Sequence, residues 1–203
     1  MTEVCVFPVV EIFTSIQGEG VNLGKPANFI RLAGCNLKCP WCDTDWTKIQ
    51  EYLTAMDILA KLDPSVELVV ITGGEPLLQM HLDELLRLLC RSHYKIAIET
   101  NGSFPTNKLK NKYGIHVSCS PKPQNDWKIH PECIYDELKF VVDGNFTADK
   151  IPCTNKPIWL QPEGGSMQKR WKEAVKIQGE LLAKRSNLDV RVGVQLHKIM
   201  EVR

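Results

Sequence analysis

The sequence predicts an α/β fold, a partial, open barrel of parallel strands with roughly six strand-helix units, in a single domain over residues 1–203. Three observations predict it. Short runs of β-branched and apolar residues recur along the chain, as buried parallel strands do. Segments with apolar residues three and four apart separate many of them, the pattern of helices laid on a sheet. A closed eight-unit barrel takes about 250 residues, more than the 203 present.

The first strand-like run is 29–32, and its near-continuous apolar character implies a sheet covered on both faces. Thr54 can then cap a helix carrying Met56, Ile58, Leu59 and Leu62. Residues 68–72 form the next strand. From His81 to Cys90, Leu82, Leu85, Leu86 and Leu89 fall on one helical face. Strands follow at 95–99, 116–119, 138–142 and 157–161. Ser166 can cap a long helix through Trp171, Val175, Ile177 and Leu181 to Lys184, and 190–194 is the last strand. Gly and Pro sit at single turns and no solenoid repeat occurs, so no linker divides the chain.

Composition narrows the function. At 43% hydrophobic and 24% charged, the chain is an average globular protein and not a disordered or low-complexity one. Lys and Arg number 25 against 24 Asp and Glu, and a net charge of +1 gives no reason to expect direct binding to nucleic acid or a membrane surface. No apolar run reaches the roughly 20 residues of a membrane helix. The N-terminal residues lack the features of a signal peptide. A cytoplasmic protein with reduced thiols is expected, and its eight cysteines need an explanation other than disulfides.

Cys35, Cys39 and Cys42 supply it. Three thiols fall within eight residues, directly after the strand ending at Leu32, with Gly34 at the turn. Thiolates select zinc, Cu(I) or iron–sulfur clusters. A cubane cluster usually takes four cysteines, so three leave one iron open to a small molecule, as a catalytic centre requires. The competing reading is a structural zinc site with Asp43 or a distant cysteine as fourth ligand, although no second Cys-x-x-Cys knuckle exists. Cys5, Cys90, Cys119, Cys133 and Cys153 read as small buried hydrophobes or idle surface thiols.

The Cys-x3-Cys-x2-Cys motif, followed by Gly73-Gly74-Glu75-Pro76 at a strand end, resembles the radical S-adenosylmethionine (SAM) superfamily. The resemblance implies a [4Fe-4S] cluster on Cys35, Cys39 and Cys42 whose open iron is chelated by SAM, and reductive cleavage of SAM to a 5′-deoxyadenosyl radical. Further segments resemble the 7-carboxy-7-deazaguanine synthase family within it, on the path to queuosine and other deazapurines. They are 11–20, 29–39, 41–44, 70–76, 99–102, 120–122, 137–140, 160–162 and 195–198, in order along the chain. Gln17-Gly18-Glu19-Gly20 and Cys42-Asp43-Thr44 discriminate most. The implied reaction is contraction of 6-carboxy-5,6,7,8-tetrahydropterin to 7-carboxy-7-deazaguanine with loss of ammonia, started by abstraction of the C6 hydrogen; the enzyme class is a carbon–nitrogen lyase.

The resemblance also implies residue roles. Ile16, Gln17, Gly18 and Glu19 would meet the pterin, whose flat ring of donors and acceptors suits amides and a carboxylate. Arg31 would fork onto the substrate carboxylate, with a structural salt bridge as the alternative. Thr44 would ligate Mg²⁺, an ion that takes few protein ligands and keeps its waters, or else is a turn residue. Thr72 would touch substrate. SAM would meet Trp41, Cys42, Asp43, Gly74, Glu99, Ser120, Pro121, Lys122, Gln161, Pro162, Glu163 and Gly164, at the strand ends where α/β folds place ligands. His197 and Lys198 carry no assigned role, and the carboxylate of Arg203 is a further candidate for the pterin. A homodimer and a flavodoxin- or ferredoxin-type reductant are the implied partners. Only three residues separate Cys35 from Cys39, so no reductant-docking role attached to a long insertion there carries over. Two other classes compete: a glycyl-radical-enzyme activating protein, which would need a groove for a protein substrate, and a non-catalytic zinc-binding module.

Overall fold

The computed structural model describes residues 5–164 and 167–203. In chain order the strands are β1 (Phe7–Ile16), β2 (Pro26–Leu32), β3 (Glu51–Leu53), β4 (Leu68–Gly73), β5 (Lys95–Thr100), β6 (His116–Cys119), β7 (Glu137–Val142), β8 (Ile158–Pro162) and β9 (Val190–Val192). The helices are α1 (Ala55–Ala60), α2 (Leu82–Arg91), α3 (Asn107–Tyr113), α4 (Met167–Lys184) and α5 (Leu196–Ile199). All nine strands lie in one open sheet, ordered β3-β1-β2-β4-β5-β6-β7-β8-β9. From β2 through β4 to β9 every pairing is parallel. β1 is antiparallel to both β2 and β3.

Every strand expected from the sequence is present, with ends moved by a few residues. Two were not legible. β1 carries Pro8, Glu11, Thr14 and Ser15, and a bulge between Val9 and Glu11 breaks its alternation. β3 is only three residues long. The crossovers from β6 to β7 and from β7 to β8 carry only single 3-10 turns, Pro123–Asn125 and Ala148–Lys150. No helix among the described residues is long and apolar enough to cross a membrane.

Thr54 caps α1 as its sequence suggests: its hydroxyl accepts from the Asp57 amide at 3.1 Å, and the Asp57 carboxylate accepts from the Thr54 amide at 3.0 Å. Met56 is nevertheless 62% exposed, because it lies two residues from buried Ile58 and so on the other side of the turn. In α2 the four expected leucines are all buried. In α4 the buried stripe is Ala174, Ile177 and Leu181, and Val175 falls off it. The proposed Ser166 cap lies outside the described residues.

The two sheet faces differ, contrary to the expectation that both are covered. On one face Ile30, Leu32, Val69, Ile71, Ile98 and Val117 pack against α1 and α2. Further along, Leu138, Phe140, Val142, Ile158 and Leu160 pack against α4. Burying each such side chain is worth about 1.5–3 kcal/mol. The other face holds only a small apolar patch of Ala27, Phe29, Leu68, Val70 and Ala97, joined by Phe13. Beyond it the same face turns polar, with Arg31, Thr72, Glu99, Lys139 and Gln161 lining a cleft. Alternation along each strand produces this: one residue away, each has an apolar neighbour on the helix-covered face.

Candidate active site

The cysteine loop leaves β2 at Leu32 and is pinned from several sides. The Gly34 amide donates to the Trp46 carbonyl at 3.1 Å, and the Gln79 side chain donates to the Ala33 carbonyl at 2.9 Å. Asn101 donates to the Asn36 side chain at 2.8 Å. The Cys39 thiol donates to Gln124 at 3.1 Å, and the Leu37 amide donates to the Cys35 sulfur at 3.4 Å. Burial raises the Cys35 and Cys39 thiol pKa values. All three cysteines line the cleft, and Cys42 is exposed.

The Gly73-Gly74 turn closes directly onto this loop. The Gly74 amide donates to the Leu32 carbonyl at 2.9 Å and the Glu75 amide to the Gly34 carbonyl at 2.8 Å. A Cβ on Gly73 would stand 2.1 Å from the Leu32 oxygen, and one on Gly74 1.9 Å from the Gly34 oxygen. The glycines therefore permit backbone to meet backbone. Glu75 fixes the turn from behind. Its buried carboxylate accepts from the Leu77 amide at 3.1 Å, the Thr100 hydroxyl at 2.8 Å and the Asn101 amide at 2.7 Å. Burial raises its pKa, against those three donors.

The cleft encloses about 470 Å³, a volume suited to small molecules. Every candidate residue from the sequence lines it except Pro121, which is buried beside it. Trp41 is tethered by its indole N–H to Asp143 at 3.0 Å, and the Lys122 ammonium lies 5.8 Å from its ring centroid. Lys122 donates to the Ser120 carbonyl at 2.6 Å and hydroxyl at 2.5 Å. Burial, then the Lys139 charge, lowers the Lys122 pKa to about 8. Asp43 pairs with Lys198 at 2.7 Å; burial works to raise its pKa, and Lys198 outweighs it. Pro162, Glu163 and Gly164 follow Gln161 along the wall formed by the end of β8.

On the opposite wall, Gln17 donates to Glu99 at 3.1 Å, and the Thr72 hydroxyl donates to the same carboxylate at 2.9 Å. Glu99, assigned to SAM by sequence, thus takes its partners from residues assigned to substrate. Burial opposes its ionisation, but Lys139, Thr72, Gln17 and Arg31 together hold its pKa low. Lys139 also hydrogen-bonds Glu19, which accepts from Gln195 at 2.8 Å. Arg31 pairs through Nε with Glu11 at 2.8 Å and donates through Nη1 to the Thr44 hydroxyl at 3.0 Å. The salt bridge weighed for it therefore exists, on a side chain that also faces the cleft. The chain's end returns over this wall. The Leu196 amide donates to the Gly18 carbonyl at 3.0 Å, His197 covers Gly18, and Arg203 pairs with Glu11. Burial lowers the His197 pKa.

Sequence reasoning gave no role to Lys139, Gln195 or Lys198, all of which line the cleft. For Lys139 there was a signal: a lone charge within the apolar run of β7.

The donors present suit a thiolate-bound cluster and a charged small-molecule cofactor. Among the described residues no three Cys, His, Asp or Glu side chains converge on one ion, whereas ligands of a cubane each hold a different iron. Asp43, the nearest candidate for a fourth zinc ligand, is occupied by Lys198. Beside the thiols, Lys122 pairs with no carboxylate among the described residues; a cation is thus available there. Thr44 offers Mg²⁺ one hydroxyl next to a guanidinium, which fits only an ion that draws most of its shell from substrate and water.

The family model for the radical SAM superfamily matches residues 29–121. A 7-carboxy-7-deazaguanine synthase of Aquifex aeolicus is 37% identical, over 95% of this chain and 93% of its own length. One from Haemophilus influenzae is 32% identical over 97% of this chain and 94% of its own length. The crystal structure of QueE from Escherichia coli shares the fold, with a TM-score of 0.69 at 24% identity over 95% of each chain.

Proposed function

The chain belongs to the 7-carboxy-7-deazaguanine synthase family of the radical SAM superfamily, and we propose that its cleft contracts the ring of 6-carboxy-5,6,7,8-tetrahydropterin with loss of ammonia. One observation carries this reading: the three-thiol loop and the Gly73-Gly74 turn are hydrogen-bonded together on one side of a single cleft whose other side is lined by Gln17, Glu19, Arg31 and Thr72. Against a glycyl-radical-enzyme activating protein stand the relatives matched over nearly the whole chain, which are 7-carboxy-7-deazaguanine synthases.

The family implies a [4Fe-4S] cluster and SAM. Cys35, Cys39 and Cys42 would hold the cluster; Gly74, Trp41, Asp43, the 120–122 segment and the 161–164 segment would hold SAM. Bound there, the pair supplies an organic radical able to take a hydrogen atom from carbon. The chain's own residues do the rest. Gln17, the Gly18 backbone and Glu19 orient the pterin ring through its donors and acceptors. Arg31 meets the substrate carboxylate, and Thr44 would hold Mg²⁺, an ion that takes few protein ligands. Thr72 contacts the ring from the neighbouring strand. Phe13 and Phe29, stacked at 5.0 Å between centroids, floor the cleft, and the tail from Leu196 to Arg203 limits access of water. Holding the target carbon in one orientation is the largest contribution a rigid sheet can make to such a reaction. The same reading takes the chain as one radical SAM domain acting as a homodimer, with a flavodoxin- or ferredoxin-type protein as reductant. Support for the last is that Lys38, Pro40 and Cys42 leave the cluster loop exposed.

The test is anaerobic cluster reconstitution followed by incubation with SAM, a strong reductant, Mg²⁺ and 6-carboxy-tetrahydropterin. Formation of 7-carboxy-7-deazaguanine with little net loss of SAM is expected. SAM cleavage to 5′-deoxyadenosine without ring contraction would sink the substrate assignment.

A further inference from the structure

Lys139 lies on β7 between Leu138 and Phe140, both fully buried on the opposite face. Its side chain is 12% exposed, and that of its partner Glu19 is 13% exposed. For stability alone, a buried ion pair is a poor choice against an apolar residue of similar size. The surroundings give another reason for a cation here. Glu19 receives Lys139 on one carboxylate oxygen and Gln195 on the other. Glu99 receives Gln17 and Thr72. Both carboxylates line the cleft, on the wall assigned to the pterin. Burial by itself favours the protonated form of a carboxyl group, and Gln17 ties the two positions together, its side chain donating to Glu99 and accepting from the Glu19 amide.

We propose that Lys139 is a positioning residue that keeps Glu19 and Glu99 together as carboxylates, a paired acceptor for the amino and ring N–H groups of the pterin. Glu99 then belongs with the substrate and not with SAM. The inference rests on the pterin reading above. A pterin presents adjacent N–H donors on its pyrimidine edge, and ionised carboxylates are the strongest acceptors for them. A protonated carboxyl would offer a donor where the ligand offers a donor. The other charges facing the pair are Arg31 from β2, Lys122 beyond β6, Glu137 from β7, Asp43 in the cysteine loop, and His197 and Lys198 beyond β9. Among them Lys139 is the only cation hydrogen-bonded to either carboxylate in the described residues.

The test uses the reconstituted full-length enzyme and two readouts. In difference infrared titration between about pH 5 and pH 8, wild type should show no carboxylic-acid C=O band assignable to Glu19 or Glu99 by loss in Glu19→Gln or Glu99→Gln. Lys139→Met should acquire one. Its kcat/KM for 6-carboxy-tetrahydropterin should fall on the order of tenfold to a hundredfold, chiefly through KM. The residual kcat/KM should rise with pH as the carboxyl proton leaves, where wild type is flat. Lys139→Arg should show no such band and recover most of the loss. A protonated Glu19 or Glu99 in wild type overturns the proposal. So does an unchanged KM in Lys139→Met, or a loss of kcat and thermal stability that Lys139→Arg does not rescue. Should Lys139→Met fail to fold, the wild-type infrared titration and the Lys139→Arg kinetics still decide. A wild-type enzyme that makes no deazaguanine would defeat the pterin reading instead, and the infrared result would stand apart from it.

Discussion

Gly74→Ala isolates the contact between the Gly-Gly turn and the cysteine loop. Gly74 has no left-handed backbone conformation, so the added methyl tests space alone. It would stand 1.9 Å from the Gly34 oxygen and 2.4 Å from the Gly34 carbonyl carbon, where ordinary contact begins at 3.4 Å. The two backbones must therefore part by about 1.5 Å, too far for either of the hydrogen bonds at 2.9 and 2.8 Å to persist. Two lost bonds at about 0.5–1.5 kcal/mol each, with some strain added in buried β4, give a destabilisation of about 2–3 kcal/mol. For a chain of this length that lowers Tm by roughly 4–12 °C. Gly179→Ala is the control: it lies inside α4 with nothing near its Cβ position, and should stabilise by about 0.5–1 kcal/mol. Thermal melts of anaerobically reconstituted protein measure both, and calorimetric titration measures SAM affinity. Iron content should stay near wild type in Gly74→Ala, because all three thiols lie on the loop itself, while SAM affinity drops. A variant melting within a degree of wild type and binding SAM equally well would refute the interlock.

Three more outcomes follow from other contacts. Arg31→Ala should raise KM for the pterin by on the order of tenfold or more with cluster content unchanged, and cost little stability because Arg203 still pairs with Glu11; loss of the cluster would show Arg31 to be structural. Glu75→Gln replaces one of the two accepting oxygens with an N–H₂, so a donor faces either the Asn101 amide or the Leu77 amide and Thr100 hydroxyl; it should lower the urea midpoint by the equivalent of about 1–3 kcal/mol, whereas an unchanged midpoint would mean the network is not formed. Asp136 has its pKa lowered, with burial opposing and Lys110, the Val117 amide and His116 prevailing. Its folded form thus binds a proton less readily than the unfolded chain. The stability lost in Asp136→Asn should be fully present above the ordinary value of 3.8 and shrink as pH falls through and below it; a gap that widens in acid would contradict the ion pair.

The parallel half of the fold was legible because its strands are apolar runs of ordinary length and α2 has a regular leucine stripe. The antiparallel entry through β1 was not, because its bulge and polar residues erase the period-two signal over Val9 to Glu11. The cysteine loop declared itself by spacing. The role of Gly73 and Gly74 was only half visible: close approach could be foreseen, but the backbone they approach, Leu32 to Gly34, lies some forty residues away in sequence. Asp43 read as a possible fourth zinc ligand since nothing local shows that Lys198 holds it. Lys139 was visible as an oddity in β7, yet its partners Glu19 and Glu99 come from separate parts of the chain.

The register explains why these partners meet at all. Arg31 is paired with Thr72 across β2 and β4, and Ile71 with Ile98 across β4 and β5, which brings Thr72 alongside Glu99 at 2.9 Å. Val141 is paired with Gln161 across β7 and β8, with Lys139 two residues earlier on the same face. A slip of one residue in β2 or β7 would exchange Arg31 or Lys139 for Leu, Ile or Phe and drive a charge into the helix-covered core. The apolar packing of one face and the chemistry of the other are therefore enforced by the same alternation. On the proposed reading, Arg31, Thr72 and Glu99 hold the substrate from strands, joined by Gln17 and Glu19 from the loop after β1, and the cofactors are held chiefly by loops at the strand ends. Strand-rooted groups are fixed by the ladder on both sides and hold orientation better than loop groups do. A ring whose single target carbon must face a radical needs that rigidity more than a cofactor that is anchored at both a metal and a backbone turn.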